Sequence, residues 1–209
     1  DSDLPYISVP RLGLAIITFS FVVYLIPGMY GAPLKMLAGY LPPQSTHDFN
    51  LNRIIYEANG KESAICGDPR FGDLFHLPHG LDGYFDYEQA MACAQEQDKP
   101  LFIDFTGHGC VNCREMEAVV WSDPEVLEML REDFVIVALY VDDKTELPES
   151  EWYKSKFDGR MKKTIGAQNA DFEMCYFDHN AQPYYVLLDH EGELLHKPTA
   201  YNKHVPDFV

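Results

Sequence analysis

Apolar runs alternate with helical patterns over the second half of the chain. Three nearly continuous apolar runs are typical of strands buried on both faces, at residues 101–105, 134–141 and 184–188. Residues 87–97 have apolar positions at helical spacing behind Asp86, a predicted N-cap, and Pro124 begins another helix in its first turn. A hairpin signal at residues 189–192 follows the third run. This order predicts a βαβ crossover and then an antiparallel hairpin, in an organised domain at residues 81–209.

The start of the chain has a different pattern. Residues 12–34 carry no formal charge between Arg11 and Lys35, and residues 12–26 are apolar on every side of a helix. Hydrocarbon tolerates that pattern, whereas a surface helix carries a polar stripe. We interpret residues 1–45 as a membrane-embedded segment, with a buried core helix as the alternative. A signal peptide fits poorly, because the region before the apolar run has few basic residues and no small-residue cleavage site follows the run.

A connector at residues 46–80 is predicted between these two parts, because turn dipeptides interrupt it and no helical or strand period persists. Residues 54–56 are expected to form a short strand or turn. His76 and His79 are spaced like metal ligands, but no second pair of strong ligands lies nearby. We therefore interpret both as surface histidines.

The composition of the chain excludes some classes of function. The 209 residues are 46% hydrophobic, which allows a real core and excludes wholesale disorder. Acidic residues outnumber basic ones 33 to 16, for a formal charge of −17, so the chain repels phosphate backbones and nucleic acid is not an expected partner.

Cys110 and Cys113 form a Cys-x-x-Cys motif between a predicted strand and a helix, a context that indicates redox chemistry. At a helix N-terminus, backbone N–H groups and the helix dipole lower a thiol pKa from about 8.5 to between about 3.5 and 7.5. Cys110 is then the nucleophile, and Cys113 resolves the mixed disulfide. One alternative to the redox interpretation is a zinc site, but structural zinc normally takes four ligands and His108 alone would add only a third to the two cysteines. The other alternative is a purely structural disulfide, although so small a ring adds little stability. We expect no metal and no organic cofactor.

The positions of two further residues, Asp104 and Pro183, agree with a redox role for the cysteine pair. Asp104 lies within an apolar run six residues before Cys110, and a buried carboxyl group is costly enough to need a reason. It is placed to exchange protons with Cys113, its pKa raised by desolvation. The alternative is that the strand ends early and Asp104 is exposed. Pro183 precedes the third run, where a strand tolerates proline and a cis bond fits.

Three cysteines have no motif. We expect Cys93 to be a small buried helix residue and Cys175 to be packed as well. A disulfide between Cys66 and Cys175 is the alternative, and it requires an oxidising compartment.

The sequence Leu101-Phe-Ile-Asp-Phe-x4-Cys-Val-Asn-Cys113, with Gln182-Pro183 before the third run, resembles the thioredoxin family over residues 81–209. Cys110-Val-Asn-Cys-Arg-Glu-Met-Glu117 and Trp121-Ser-Asp-Pro124 resemble most closely the C-terminal domain of the DsbD thiol:disulfide interchange family. The resemblance implies an α/β fold with a central mixed sheet flanked by helices. It also implies a cis-proline at Pro183 facing the disulfide, and an acidic pair, Asp104 and Glu117, that tunes Cys110.

The same resemblance implies a membrane protein-disulfide reductase of the bacterial inner membrane. A DsbD-type membrane domain would donate electrons, and disulfide-bearing proteins of the periplasm, including those of cytochrome c biogenesis, would accept them. Two alternatives stay open. One is a soluble periplasmic reductase with the first 45 residues packed on the domain, and the other is a non-redox scaffold that binds proteins.

The chain departs from the family in three places. Gly109 stands where the family carries tryptophan, so we expect a different substrate-binding rim, formed by His108, Gly109, Gln182 and Pro183. His108 is interpreted as a solvated loop residue, with titration near neutral pH as the alternative. Residues 142–160 form a longer connection than the family's, interpreted as a solvated acidic insertion, with partner docking as the alternative. Residues 206–209 fall where the family's last helix begins, so that helix is expected to be truncated or replaced.

Overall fold

The computed structural model describes residues 6–41, residue 54 and residues 65–208. Expectations for the other residues lie outside the described part of the chain. These include most of the connector between residues 46 and 64, and all of the predicted element at residues 54–56 except Ile54.

A four-stranded mixed sheet forms the centre of the domain. The strands are β1 (Leu101–Thr106), β2 (Val135–Tyr140), β3 (Tyr153–Lys154), β4 (Met161–Lys162), β5 (Tyr184–Leu188) and β6 (Thr199–Ala200). The helices are α1 (Val9–Leu25), α2 (Tyr87–Gln97), α3 (Val111–Val119), α4 (Pro124–Glu132) and α5 (Ile165–Phe177). The strand order is β2-β1-β5-β6, in which β1 pairs parallel with β2 and antiparallel with β5. This confirms the predicted α/β fold with its mixed sheet and crossover.

Local capping explains where three helices begin. Asp86 accepts a hydrogen bond from the backbone N–H of Gln89 at 3.0 Å, at the start of α2. Asp123 caps α4, with Pro124 in its first turn, and Thr164 caps α5. These caps satisfy N–H groups that the helices themselves leave unpaired.

The two faces of β1 have different neighbours, because successive side chains of a strand alternate between the faces of the sheet. Ile103 and Phe105 belong to the cluster that includes the buried residues of α2. Phe102 belongs to the other cluster, with Met116 of α3. Asp104 follows the same alternation as Phe102, so it lies on the face that α3 covers.

The apolar helix α1 is not part of this core. None of its residues is buried, so the buried-core-helix alternative is wrong. Residues 9–30 are long and apolar enough to cross a membrane, with a mean hydropathy of 2.1. By length and composition this segment fits either a membrane span or a signal sequence.

A disulfide outside the Cys-x-x-Cys motif joins Cys66 to Cys93, with Cα atoms 5.5 Å apart. It links the segment before the domain to α2. Cys93 is a buried residue of α2, as expected, and it is also disulfide-bonded. The alternative pairing of Cys66 with Cys175 is wrong. Cys175 is a free, exposed thiol rather than a packed one, since it lies on the outer face of α5.

Residues 71–80 lie in the predicted connector but contribute to the core through Phe75 and Leu77. The insertion at residues 142–160 is largely exposed. It is nevertheless anchored, because Leu147 is buried and accepts a hydrogen bond from Trp152 Nε1 at 2.7 Å. Residues 153–154 within it form β3, which pairs with β4.

The predicted hairpin is shorter than expected. Its turn forms, with Gly192 in the left-handed region, but the returning chain makes only an isolated bridge between Leu188 and Leu194 before β6 pairs with β5. Residues 205–207 form a 3-10 helix where the family begins its last helix.

Candidate active site

A disulfide joins Cys110 and Cys113 at the N-terminus of α3, with Cα atoms 5.2 Å apart. Cys110 is the N-cap residue, and its Sγ atom accepts a hydrogen bond from the backbone N–H of Cys113 at 3.1 Å. Cys113 is 2% exposed, whereas Cys110 is half-buried. Because a helix N-terminus stabilises negative charge, Cys110 is the sulfur positioned to react as a thiolate with a partner from solution.

Asp142 anchors the loop that leads into the disulfide. Its carboxylate accepts hydrogen bonds from the backbone N–H groups of His108 at 2.8 Å and Gly109 at 3.0 Å. A Cβ atom on residue 107 would lie 3.0 Å from the carboxyl carbon of Asp142, which is closer than such atoms normally come. Glycine at this position therefore lets the Asp142 side chain approach the loop. No sequence motif marks Asp142. The signal available was the parallel pairing of β1 with β2, which brings the carboxyl ends of both strands to one edge of the sheet.

His108 is held at the rim of the site rather than fully solvated. Its Nε2 atom lies 2.9 Å from Asp143 Oδ2, and its ring centroid lies 4.7 Å from that of Tyr140. The side chain is 51% exposed. Although partial burial of Asp143 opposes it, hydrogen bonds from His108 and from the backbone N–H of Thr145 hold the pKa of Asp143 below its usual value.

Two buried carboxyl groups lie beneath the disulfide helix. Asp104 is 3% exposed, so the alternative that it is exposed is wrong. Burial, and next the nearby Glu117, raise its pKa well above the usual value, while Arg114 opposes the shift. Within the described residues no donor reaches Asp104 Oδ1. A carboxyl group with a raised pKa binds a proton more readily than an exposed aspartate does.

Glu117 is tied to a buried arginine. Arg114 Nη2 lies 2.8 Å from Glu117 Oε1 and 3.3 Å from Thr106 Oγ1, at the end of β1. Burial raises the pKa of Glu117 to about 7, and the charge of Arg114 opposes that rise. Glu117 therefore changes its charge near neutral pH. No sequence motif marks Arg114, although its position three residues before Glu117 on a helix is the spacing of a side-chain pair.

His79 lies under the same helix. It is buried, and its Nε2 atom is 2.6 Å from the backbone oxygen of Glu117. The expectation of a surface histidine is wrong for His79, because the connector folds back against α3 and covers this ring. His76 is exposed, as expected. Burial lowers the pKa of His79, so the neutral ring donates its Nε2–H to that carbonyl. The backbone oxygen of His79 in turn accepts a hydrogen bond from Arg131 at 2.7 Å.

The loop before β5 forms one side of the site. The Gln182–Pro183 peptide bond is cis, as the family resemblance implies, and Pro183 is buried. An open pocket of about 430 Å³ lies in front of the disulfide, lined by Gly107, Gly109, Cys110, Val111, Asn112, Val141, Asp142 and Gln182. The structure thus brings Gly109 and Gln182 of the predicted rim to one pocket with Cys110.

The sheet, the crossover helix and the disulfide at its N-terminus define a thioredoxin-class fold. A family model described as thioredoxin-like matches residues 82–190, more than half of the chain. The chain therefore belongs to the thioredoxin-like family, with a cysteine pair that forms a disulfide.

Solved structures similar to this chain include three redox proteins. A DsbH oxidoreductase is 16% identical, with a TM-score of 0.44 over 70% of this chain and 87% of its own. A thioredoxin from Thermus thermophilus is 21% identical, with a TM-score of 0.42 over 60% and 80%. A disulphide isomerase from Xylella fastidiosa Temecula1 is 16% identical, with a TM-score of 0.37 over 56% and 79%. No curated protein matches the chain.

Proposed function

We propose that this protein is a thiol–disulfide oxidoreductase that reduces the disulfides of partner proteins. The observation that carries the proposal is the position of the cysteine pair. Half-buried Cys110 caps α3 and lines an open pocket, while Cys113 is buried behind it. A nucleophile must be accessible to its partner, whereas a resolving thiol needs to reach only the first sulfur.

The reduced enzyme works in two exchange steps. The Cys110 thiolate attacks one sulfur of the partner's disulfide, which forms a mixed disulfide and releases the other partner sulfur as a thiolate. Cys113 loses its proton and attacks Cys110, which restores the intramolecular disulfide and releases the second partner sulfur. Two electrons pass to the partner. We assign Asp104 as the acceptor of the Cys113 proton, since it lies buried on the sheet face that α3 covers.

Asp104 and Glu117 also restrain the nucleophile. A nearby carboxylate disfavours a thiolate by like-charge repulsion, so both groups oppose the stabilisation that Cys110 receives from the helix N-terminus. The thiolate then forms most readily when a docked partner changes this environment.

The restraint predicts a change in thiol reactivity. Asp104→Asn or Glu117→Gln removes an ionisable carboxyl group, so the pKa of Cys110 in the reduced protein is expected to fall. Above pH 7, where Glu117 is mostly ionised in the wild type, a larger fraction of Cys110 is then thiolate in the variant, and its alkylation by iodoacetamide becomes several-fold faster. The check is the alkylation rate of Cys110 as a function of pH, with Glu125→Gln on α4 as a control. Profiles that coincide with the wild type, or that move to higher pH, contradict the assignment.

We further propose that the domain is anchored in a bacterial inner membrane and faces the periplasm. A DsbD-type membrane domain is the proposed electron donor, and disulfide-bearing periplasmic proteins, including those of cytochrome c biogenesis, are the proposed acceptors. Three observations support this proposal. The sequence resembles the DsbD family, and the apolar helix α1 has no buried residue. The Cys66–Cys93 disulfide is of a kind that persists in oxidising compartments. A soluble periplasmic reductase and a non-redox scaffold are the competing functions.

A trapping experiment tests this proposal. Cys113→Ser is expected to leave mixed disulfides on Cys110 that accumulate, because the resolving thiol is gone. Cys175→Ser is added to remove the free exposed thiol. In bacterial cells we expect reducible adducts with periplasmic proteins and with a membrane domain, all in the carbonate-resistant membrane fraction. A Cys110→Ser/Cys175→Ser variant is the matched control and captures nothing through this site.

The outcomes separate the alternatives. Adducts of a protein that carbonate washes into the aqueous phase favour a soluble reductase. The absence of any adduct on Cys110, with the protein folded and reduced, favours the non-redox scaffold.

A further inference from the structure

Glu173 is a fully buried carboxyl group that the proposed mechanism does not use. It lies on α5 and is 0% exposed. Its Oε1 atom accepts a hydrogen bond from the backbone N–H of Ala181 at 2.9 Å, and its Oε2 atom accepts one from Gln182 Nε2 at 3.1 Å. Both donors belong to the turn directly before the cis bond to Pro183.

These contacts differ from those of an ordinary buried ion pair. Within the described residues no cation lies within salt-bridge distance of Glu173, so its burial is offset only by two hydrogen bonds from one turn. A buried carboxyl group without a paired charge is expensive. The turn that it holds is also the one that carries Gln182 into the pocket in front of Cys110.

We propose that Glu173 is a positioning residue for polypeptide substrates. It holds the turn at residues 181–182 so that Gln182 and Pro183 present a fixed rim opposite Cys110, against which an extended segment of a disulfide-bearing protein lies. Glu173 does not touch the substrate. It sets the affinity for a polypeptide, while the exchange at sulfur stays with the cysteines. This inference rests on the proposed oxidoreductase function.

The charge of Glu173 gives the rim a pH dependence. Burial raises its pKa to about 7, and the hydrogen bonds from Ala181 and Gln182 oppose that rise. Burial and then the charge of Glu173 raise the pKa of Tyr184 on β5, and the His179 ring stacks on Tyr184 at 4.4 Å. Below pH 7 the protonated carboxyl group accepts one hydrogen bond fewer. The turn is then held less firmly, and binding weakens as the pH falls.

The test is Glu173→Gln, which keeps the size of the side chain. The amide oxygen still accepts from Ala181, but the amide nitrogen cannot accept from Gln182 Nε2. We expect KM for reduction of insulin to rise about fivefold, the effect of one hydrogen bond, with kcat and the melting temperature nearly unchanged. The rate with hydroxyethyl disulfide, which is too small to lie along the rim, stays at the wild-type value. Between pH 8 and pH 6 KM rises in the wild type and stays level in the variant.

A double-mutant cycle distinguishes positioning from general damage. If Glu173 acts through Gln182, Glu173→Gln has a smaller effect on KM in a Gln182→Ala background than in the wild type. Glu191→Gln, at an exposed site, is the matched control and changes neither constant. An unchanged KM in Glu173→Gln, or equal losses with insulin and with hydroxyethyl disulfide, overturns the inference. A wild type that reduces neither substrate overturns the proposed function instead.

Discussion

Replacing Cys66 and Cys93 together by alanine is expected to lower the free energy of unfolding by about 3–4 kcal/mol. The two residues are 27 positions apart. A disulfide restricts the unfolded chain by an amount that grows from about 3 kcal/mol for a 15-residue loop to about 4.7 kcal/mol for a 100-residue loop. The folded state loses little else, because alanine fits where the buried Cys93 side chain packs in α2.

The disulfide also fixes a local arrangement. The backbone N–H of Cys66 donates to the hydroxyl group of the buried Tyr84 at 2.7 Å. Gln97 Nε2 lies 3.4 Å from each of the two sulfur atoms. Without the bond, only non-covalent contacts hold this segment to α2, so we expect residues near Cys66 to exchange amide hydrogens faster than those of β1.

Urea unfolding under non-reducing conditions measures the effect, and the melting temperature is expected to fall by about 10 °C. Cys175→Ala is the control, because it removes an exposed thiol and surface substitutions stay within about 0.5 kcal/mol. Disulfide reduction at Cys110 is expected to persist in the double variant below its melting temperature. Equal stability of wild type and double variant would mean that the Cys66–Cys93 bond adds nothing to the fold.

Local chemistry explains what could be predicted from the sequence. The apolar runs at β1 and β2 are continuous because helices cover both faces of the sheet. The caps at Asp86 and Asp123 lie within three residues of the N–H groups that they satisfy, so short patterns carry them. The Cys-x-x-Cys motif is likewise local, and its place after an apolar run indicates a helix N-terminus.

Long-range contacts explain the rest. Three cysteines without a motif allow three pairings, and nothing in their spacing favours Cys66 with Cys93 over the others. His79 and the Glu117 carbonyl are 38 residues apart, and only the folded path of the connector brings them together. Glu173 has an acidic side chain in a helix pattern, which ordinarily indicates a solvated face. Its burial depends on the turn before Pro183, which no helical period describes.

Replacing Cys110 by serine is expected to lower the rate of insulin reduction on the order of a thousandfold or more, since enzymes that lose their nucleophile retain little turnover. A serine hydroxyl group is not ionised near neutral pH and does not form a disulfide. Cys113 remains but is buried, so it does not replace Cys110. Cys175→Ser is the matched control and keeps the wild-type rate. A Cys110→Ser variant that reduces insulin as fast as the control would place the activity elsewhere.

The most direct measurement is the equilibrium of the wild-type cysteine pair with glutathione. The protein is held in buffers of increasing reduced-to-oxidised glutathione ratio, and free Cys110 and Cys113 are counted after alkylation by mass spectrometry of their peptides. We expect one reversible two-electron transition, with a midpoint in the range of about −270 to −120 mV that proteins of this class span, and no such transition in Cys110→Ser. A pair that stays fully oxidised, or fully reduced, across that whole range would contradict it.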